Sequence, residues 1–189
     1  MKSLEIVIGK IHCVRTTMEI GKDEVYGLLL VSPVTTKGPL KPRGAVVPLR
    51  SKVFAGDMWD YKDLPFRFPL EEGVIGTNVS LVLYEKDNAS IYNKLMNEAN
   101  RKEVPASFPW DKLLSELDLS DIVNPIAWAS ISMKIAIEVI KYFRQDDQID
   151  DQSFTVAVPE RKTDPFPREL TFAGRGGKFR IGLSATLVD

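Results

Sequence analysis

Alternation of apolar and polar residues divides this chain into strands and one helical block. LEIVIGKIHCV (4–14) is β-branched and roughly alternating, which predicts a strand. VYGLLLVS (25–32) is almost continuously apolar, as expected of a central strand covered on both faces. PVTTKGPLKPRG (33–44) carries three prolines and two glycines and reads as a loop. AVVPLRSKVF (45–54) reads as a strand broken at Pro48, AGDMWDYKDLPFRFPLEEG (55–73) as a long loop, and NVSLVLYEKD (78–87) as the clearest strand of the chain. The period then changes. ASIYNKLMNEANRK (89–102) has helical spacing, WDKLLSELD (110–118) is a short helix, and NPIAWASISMKIAIEVIKYF (124–143) is a long one with Asn124 as N-cap and Pro125 as its first residue. This last segment is apolar on nearly every side and therefore packs against something large. Strands return at SFTVAVPE (153–160), RELTFAG (168–174) and KFRIGLSATLV (178–188), with a hairpin turn at Arg175, Gly176 and Gly177. The expected fold is mainly β: a single domain over 1–189, an antiparallel β-sandwich with an α-helical insertion at about 88–145.

Composition narrows the choice of function more than of fold. The 189 residues suffice for a sizeable core, and the net charge of -1 implies no bulk attraction to nucleic acid. A single cysteine, Cys13, rules out an intrachain disulfide, and the only histidine is its neighbour His12. Adjacent strand residues face opposite sides, so the two do not form a nucleophile–base pair. No G-x-S-x-G, P-loop, C-x-x-C or H-E-x-x-H motif is present, and the chain reads as no enzyme. The start MKSLEIVIGKIHCV is interrupted by charge where a secretion signal would be apolar. A cytoplasmic or peripheral membrane location is expected, or export without a signal of that kind.

Charge patterning supplies the candidate chemistry. RQDDQIDDQ (144–152) follows directly on the long helix, whose carbonyl end already carries negative partial charge, so its carboxylates need compensation. Two other acidic turns stand beside it in composition: EIGKDE with Glu19, Asp23 and Glu24, and YEKDN with Glu85 and Asp87. Loops at one end of a sandwich converge, and oxygen-rich sites suit calcium.

Three segments also resemble C2 domains, the calcium- and lipid-binding β-sandwich family. GKDEVYGLLLV (21–31) resembles the family's G-K-S-D-P-Y strand, VSLVLYEKD (79–87) its strand ending in D-x-D, and DDQIDDQSFTVAV (146–158) its downstream acidic turn. Glu24 stands where the family has aspartate, with Asp23 beside it; Glu85 replaces the first aspartate of D-x-D and Asp87 matches the second. The resemblance covers about half of the chain, and the block 88–145 is foreign to it. It implies a non-enzymatic module that binds calcium through Asp23, Glu24, Glu85, Asp87, Asp146, Asp147, Asp150 and Asp151, and attaches to an anionic phospholipid surface or a partner protein. Met58, Trp59 and Phe66 would be the membrane-inserting residues, and Arg161, Lys162, Arg175, Lys178 and Arg180 a basic patch for phosphates, alongside Arg168. Each has a plainer alternative: solvated acids, aromatics folded over the sandwich end, and cations guarding edge strands. The rival functional class is a structural or assembly subunit without metal, including a homo-oligomer, a toxin or a secretion component. A hydrolase using the acidic loops is the third.

Overall fold

The computed structural model describes residues 2–17, 23–61, 65–85, 110–120, 122, 124–143, 148–158 and 166–189. These form two five-stranded antiparallel sheets packed face to face, with a helix laid on the outside of one. The elements in chain order are β1 (Ser3–Arg15), β2 (Asp23–Thr35), β3 (Gly38–Pro39), β4 (Arg43–Val53), β5 (Met58–Asp60), β6 (Phe66–Pro69), β7 (Val74–Glu85), α1 (Trp110–Ser115), α2 (Pro125–Phe143), β8 (Gln148–Ala157), β9 (Phe166–Gly174) and β10 (Gly177–Val188). Sheet A runs β5-β1-β10-β9 with β6 also on β1; sheet B runs β3-β2-β7-β8 with β4 also on β2. β1 and β10 lie side by side along their whole length, with Ser3 opposite Val188.

The sequence pattern accounts for which faces are buried. In β10 every second residue points inward, Phe179, Ile181, Leu183, Ala185 and Leu187 among them. β1 buries Leu4, Ile6 and Ile8, then Ile11 and Cys13, a change of parity that simple alternation forbids. The register shifts between Ile8 and Ile11, where Gly9 and Lys10 stand opposite Gly182 alone; this bulge keeps both halves of the strand facing the core. β2 and β7 are covered on both faces. Val25, Leu29, Val31, Val79, Leu81 and Leu83 belong to the core between the sheets. Tyr26, Leu28, Leu30, Val34, Val82 and Tyr84 belong to a second core, closed by Ile131 and Ile135 of α2 with Leu113 and Ile122. The near-continuous apolar runs of both strands follow from this double burial.

Several boundaries differ from the sequence expectation. The stretch 55–73 is not a continuous loop: β5 and β6 pair with β1 at Lys10–His12 and Ser3–Ile6. β3 forms within the proline-rich stretch 33–44, and β2 runs on to Thr35. β4 tolerates Pro48 because it is an edge strand, where a missing N–H breaks no ladder on the open side. Two register shifts follow that proline, at Leu49 and at Lys52, and Lys52 sits at φ 99. β8 begins at Gln148, five residues before the expected strand, so Asp150 and Asp151 lie in a strand and not in a turn. The expected helix 89–102 lies outside the described residues. The turn at Arg175 and Gly176 is confirmed as a two-residue hairpin with φ 48 and φ 82, both positive as that turn requires.

Tyr84 is fully buried beneath α2, its ring stacked on Tyr26 at 5.2 Å between centroids. Burial, followed by Tyr26 and the charge of Asp151, pushes its phenol far above the ordinary value of 10.0. The folded chain therefore holds this proton more tightly than the unfolded one. The associated stability is complete below pH 10.0 and is lost as the pH rises beyond it. Denaturant unfolding in that alkaline range should show stability falling by up to about 1.4 kcal/mol per pH unit. The fall should be shallower in Tyr84→Phe; an equal slope in both proteins would exclude Tyr84 as its source.

Candidate functional site

The topology carries the acidic stretches to one pole of the sandwich. β2 begins there, β7 ends there and β8 begins there, and these are three neighbouring strands of sheet B. Val25 pairs with Glu85, and Tyr84 with Gln148, which fixes Glu24, Glu85, Asp150 and Asp151 within the last few residues of their strands. The end of β1, the β9–β10 hairpin and the 54–57 turn sit at the same pole. Cys13 N–H donates to the Asp57 carbonyl at 2.9 Å, and Gly56 N–H to the Cys13 carbonyl at 2.8 Å.

Strand alternation then divides the carboxylates between the two faces of sheet B. Glu85, paired with the core residue Val25, turns toward the sandwich interior and is only 4% exposed. Its Oε1 accepts a hydrogen bond from the Thr17 hydroxyl at 2.9 Å, which reaches across from the end of β1 in the other sheet. Asp150 turns to the same side. Its Oδ2 accepts the Ala173 N–H of β9 at 2.8 Å and, at 3.4 Å, the Gln152 amide; its Oδ1 accepts the Asp151 N–H at 2.9 Å. Glu24 and Asp151 lie on the opposite face, where α2 packs, and Asp151 accepts the Gln148 Nε2–H at 2.8 Å. The two inward carboxylates thus act as clasps between sheets: Glu85 ties β7 to β1, and Asp150 ties β8 to β9. A buried carboxylate is costly unless hydrogen-bonded, and donors from the facing sheet meet part of that cost here.

The clasp at Asp150 is tight enough to exclude a side chain. Gly174 lies so close to the Ile149 carbonyl that a Cβ would overlap it. The same opposition of β8 and β9 closes one open edge of the sandwich. The other edge is closed by Arg43, whose Nη1 donates to the Pro69 carbonyl at 3.0 Å, and by Arg50, whose guanidinium lies 5.2 Å from the Trp59 ring centre and 3.5 Å from Asp57.

Of the expected metal-binding residues, Asp87, Asp146 and Asp147 lie outside the described residues, and for Asp23 only the backbone is described. Among the described residues, no three His, Cys, Asp or Glu side chains gather about one point. Of the expected membrane-inserting residues, only Met58 is exposed, at 58%. Trp59 and Phe66 pack against the inter-sheet core, and Phe66 pairs with Ile6, far from the acidic pole. Phe54, not singled out by sequence, is exposed beside Met58 across the 54–57 turn. Its signal was the break after β4, at which an apolar residue enters a Gly–Asp turn. Of the basic residues, Arg175 occupies the hairpin turn, and Lys178 and Arg180 face outward between Phe179 and Ile181; Arg161 and Lys162 lie outside the described residues. Arg180 stands in register with His12, and His12 with Met58, so the cationic outer face of sheet A adjoins the exposed methionine.

Among the described residues no helix is long and apolar enough to cross a membrane. No protein-family model and no curated protein matches the chain.

Proposed function

We propose that this chain is a non-enzymatic binding module similar to C2 domains, taking calcium at the acidic pole and using it to attach to anionic phospholipid or to a partner protein. The observation that carries the reading is the convergence of the three acidic stretches on the neighbouring ends of β2, β7 and β8. The order of those stretches along the chain is the order that the C2 resemblance implies. Calcium accepts six to eight oxygens in flexible geometry, including carbonyl and amide oxygens, and so suits donors presented by strand ends and loops.

The faces of the strands restrict how such an ion is held. Glu85 and Asp150 are engaged in inter-sheet clasps, and Glu24 and Asp151 lie across the sheet from them. The ion would therefore sit beyond the strand ends, drawing on Glu24 together with Asp23, Asp87, Asp146 and Asp147, while Glu85 and Asp150 hold the sheets beneath it. Phe54 and Met58 would meet the lipid beside it, with Lys178 and Arg180 next to its headgroups.

Thermal unfolding of the full chain with calcium and with chelator tests this. A ligand at 100 times its dissociation constant, bound only by the folded state, stabilises by about 2.7 kcal/mol. The calcium-dependent rise in Tm should be lost in Asp87→Asn and Asp147→Asn, both outside the clasps. No rise at roughly millimolar calcium would refute the metal site. A rise that survives both substitutions would place the ion elsewhere.

A further inference from the structure

The outer face of sheet A divides into two halves by charge. Away from the acidic pole its cations stand against carboxylates: Arg67 Nε–H donates to Glu5 Oε2 at 2.8 Å, and Lys10 lies in register with Asp60. Toward the pole the pairing reverses. Arg15 of β1 lies opposite Lys178 of β10, and His12 opposite Arg180. Their other cross-strand neighbours are Met58, Thr171 and Ala173, none of them acidic. Glu169 lies one diagonal from Arg180, yet among the described residues Arg15, Lys178 and Arg180 form no ion pair. Like charges set directly opposite on neighbouring strands destabilise a sheet, so this half of the face works against the stability of the fold.

The placing of Arg15 also departs from regular strand geometry. Ile11 and Cys13 are fully buried on the inner face, and alternation would turn Arg15 inward with them. A register shift between Cys13 and Arg15 adds Val14 to β1 at this point. The bulge brings Arg15 out beside Lys178, where it is exposed. Neighbours two apart on one strand, such as Lys178 and Arg180, have Cα atoms roughly 7 Å apart, and each lies roughly 5 Å from its partner on β1. Three positive charges and an imidazole thus occupy the corners of one small rectangle, with Thr171 at its side.

We infer that this rectangle is a binding site for clustered phosphate groups, carried by a phosphorylated lipid headgroup or by a free phosphorylated anion. Arg15 and Arg180 present planar forks that match phosphate oxygens two at a time, Lys178 adds a compact charge, and His12 adds a ring N–H donor. A bound phosphate group replaces repulsion within the like-charged pair by attraction to a shared anion, and so accounts for both the bulge and the segregation of charge. The site needs no calcium. It gives Lys178 and Arg180 a specific ligand, and its failure would leave the calcium reading untouched.

Titration calorimetry of the full chain with inorganic triphosphate, in chelator and at physiological ionic strength, tests it together with cosedimentation on phosphatidylcholine vesicles with and without phosphatidic acid. Saturable binding is expected, and Arg15→Gln and Arg180→Gln should each weaken it by about tenfold or more. Arg67→Gln, on the same face but paired with Glu5, should change it by less than about twofold. Binding to the acidic vesicles that is lost in Arg15→Gln assigns the site to a lipid headgroup; triphosphate binding without vesicle binding assigns it to a free anion. Without ligand, Arg15→Gln should melt no lower than the wild type, since it removes a like-charged pair. A fall in Tm alongside the loss of binding would make Arg15 a structural residue and overturn the site. So would binding to neither probe, or a loss in Arg67→Gln equal to that in Arg15→Gln.

Discussion

Gly174→Ala is expected to lower stability by about 3 kcal/mol, toward the upper end of overpacking losses. The obstacle is the backbone carbonyl of Ile149, and backbone yields far less readily than the end of a flexible side chain. Relief requires β8 and β9 to part, which stretches the bond from Ala173 N–H to Asp150 and opens the edge of the sandwich. For a chain of this size the loss corresponds to a fall of roughly 6–12 °C in Tm. Urea unfolding of the two proteins side by side measures it. A change below about 1 kcal/mol would mean that the two edges stand farther apart in solution than this packing requires. The same substitution at Gly73, which has open space around it but φ 83, is a useful control, since its cost is conformational and confined to one turn.

Phe179→Ala should cost about 3–5 kcal/mol, the range for removing a buried aromatic ring. Phe179 is fully buried and stands in a row with Cys13 and Phe172 across β1, β10 and β9, directly inside the acidic pole. The cavity would lie under the strands that position Thr17 and Ala173, the donors of both clasps. Met58→Ala, at the same pole but 58% exposed, should stay within about 0.5 kcal/mol. A difference between the two variants of less than about 2 kcal/mol would contradict the inward packing of this row. Both are read from the denaturant midpoint at constant m-value.

How far the sequence anticipates this molecule varies along it, for physical reasons. The alternation in KFRIGLSATLV yields β10, and the doubly apolar VYGLLLVS marks a strand covered on both sides; both depend on burial, which composition records directly. β5 and β6 were hidden because three- and four-residue strands are fixed by the partner they lie against, here β1, and not by their own pattern. The start of β8 was hidden for a related reason. QIDD has no apolar alternation, and Asp150 finds its partner in the N–H of Ala173, a residue distant in sequence. That the acidic stretches share a pole follows from the sandwich architecture and was expected. That Glu85 and Asp150 face inward while Glu24 and Asp151 face the helix depends on register and bulges, which no local pattern specifies. For Trp59 and Phe66 the sequence leaves two readings open, because an aromatic residue in a polar stretch looks the same whether it caps a core or enters a membrane; both pack against the inter-sheet core.

The pairing of β1 with β10 sets how the molecule is held. Ser3 lies opposite Val188 at the pole away from the acidic strand ends, so both ends of the fold leave from one place. A bead, a label or a neighbouring domain joined at either end stands behind the sandwich and turns the carboxylates, Phe54 and Met58 outward. A short bridge between the two ends, with the chain reopened elsewhere, would preserve every sheet contact in a different chain order. Orientation on a surface is thus built into the way the first and last strands lie together.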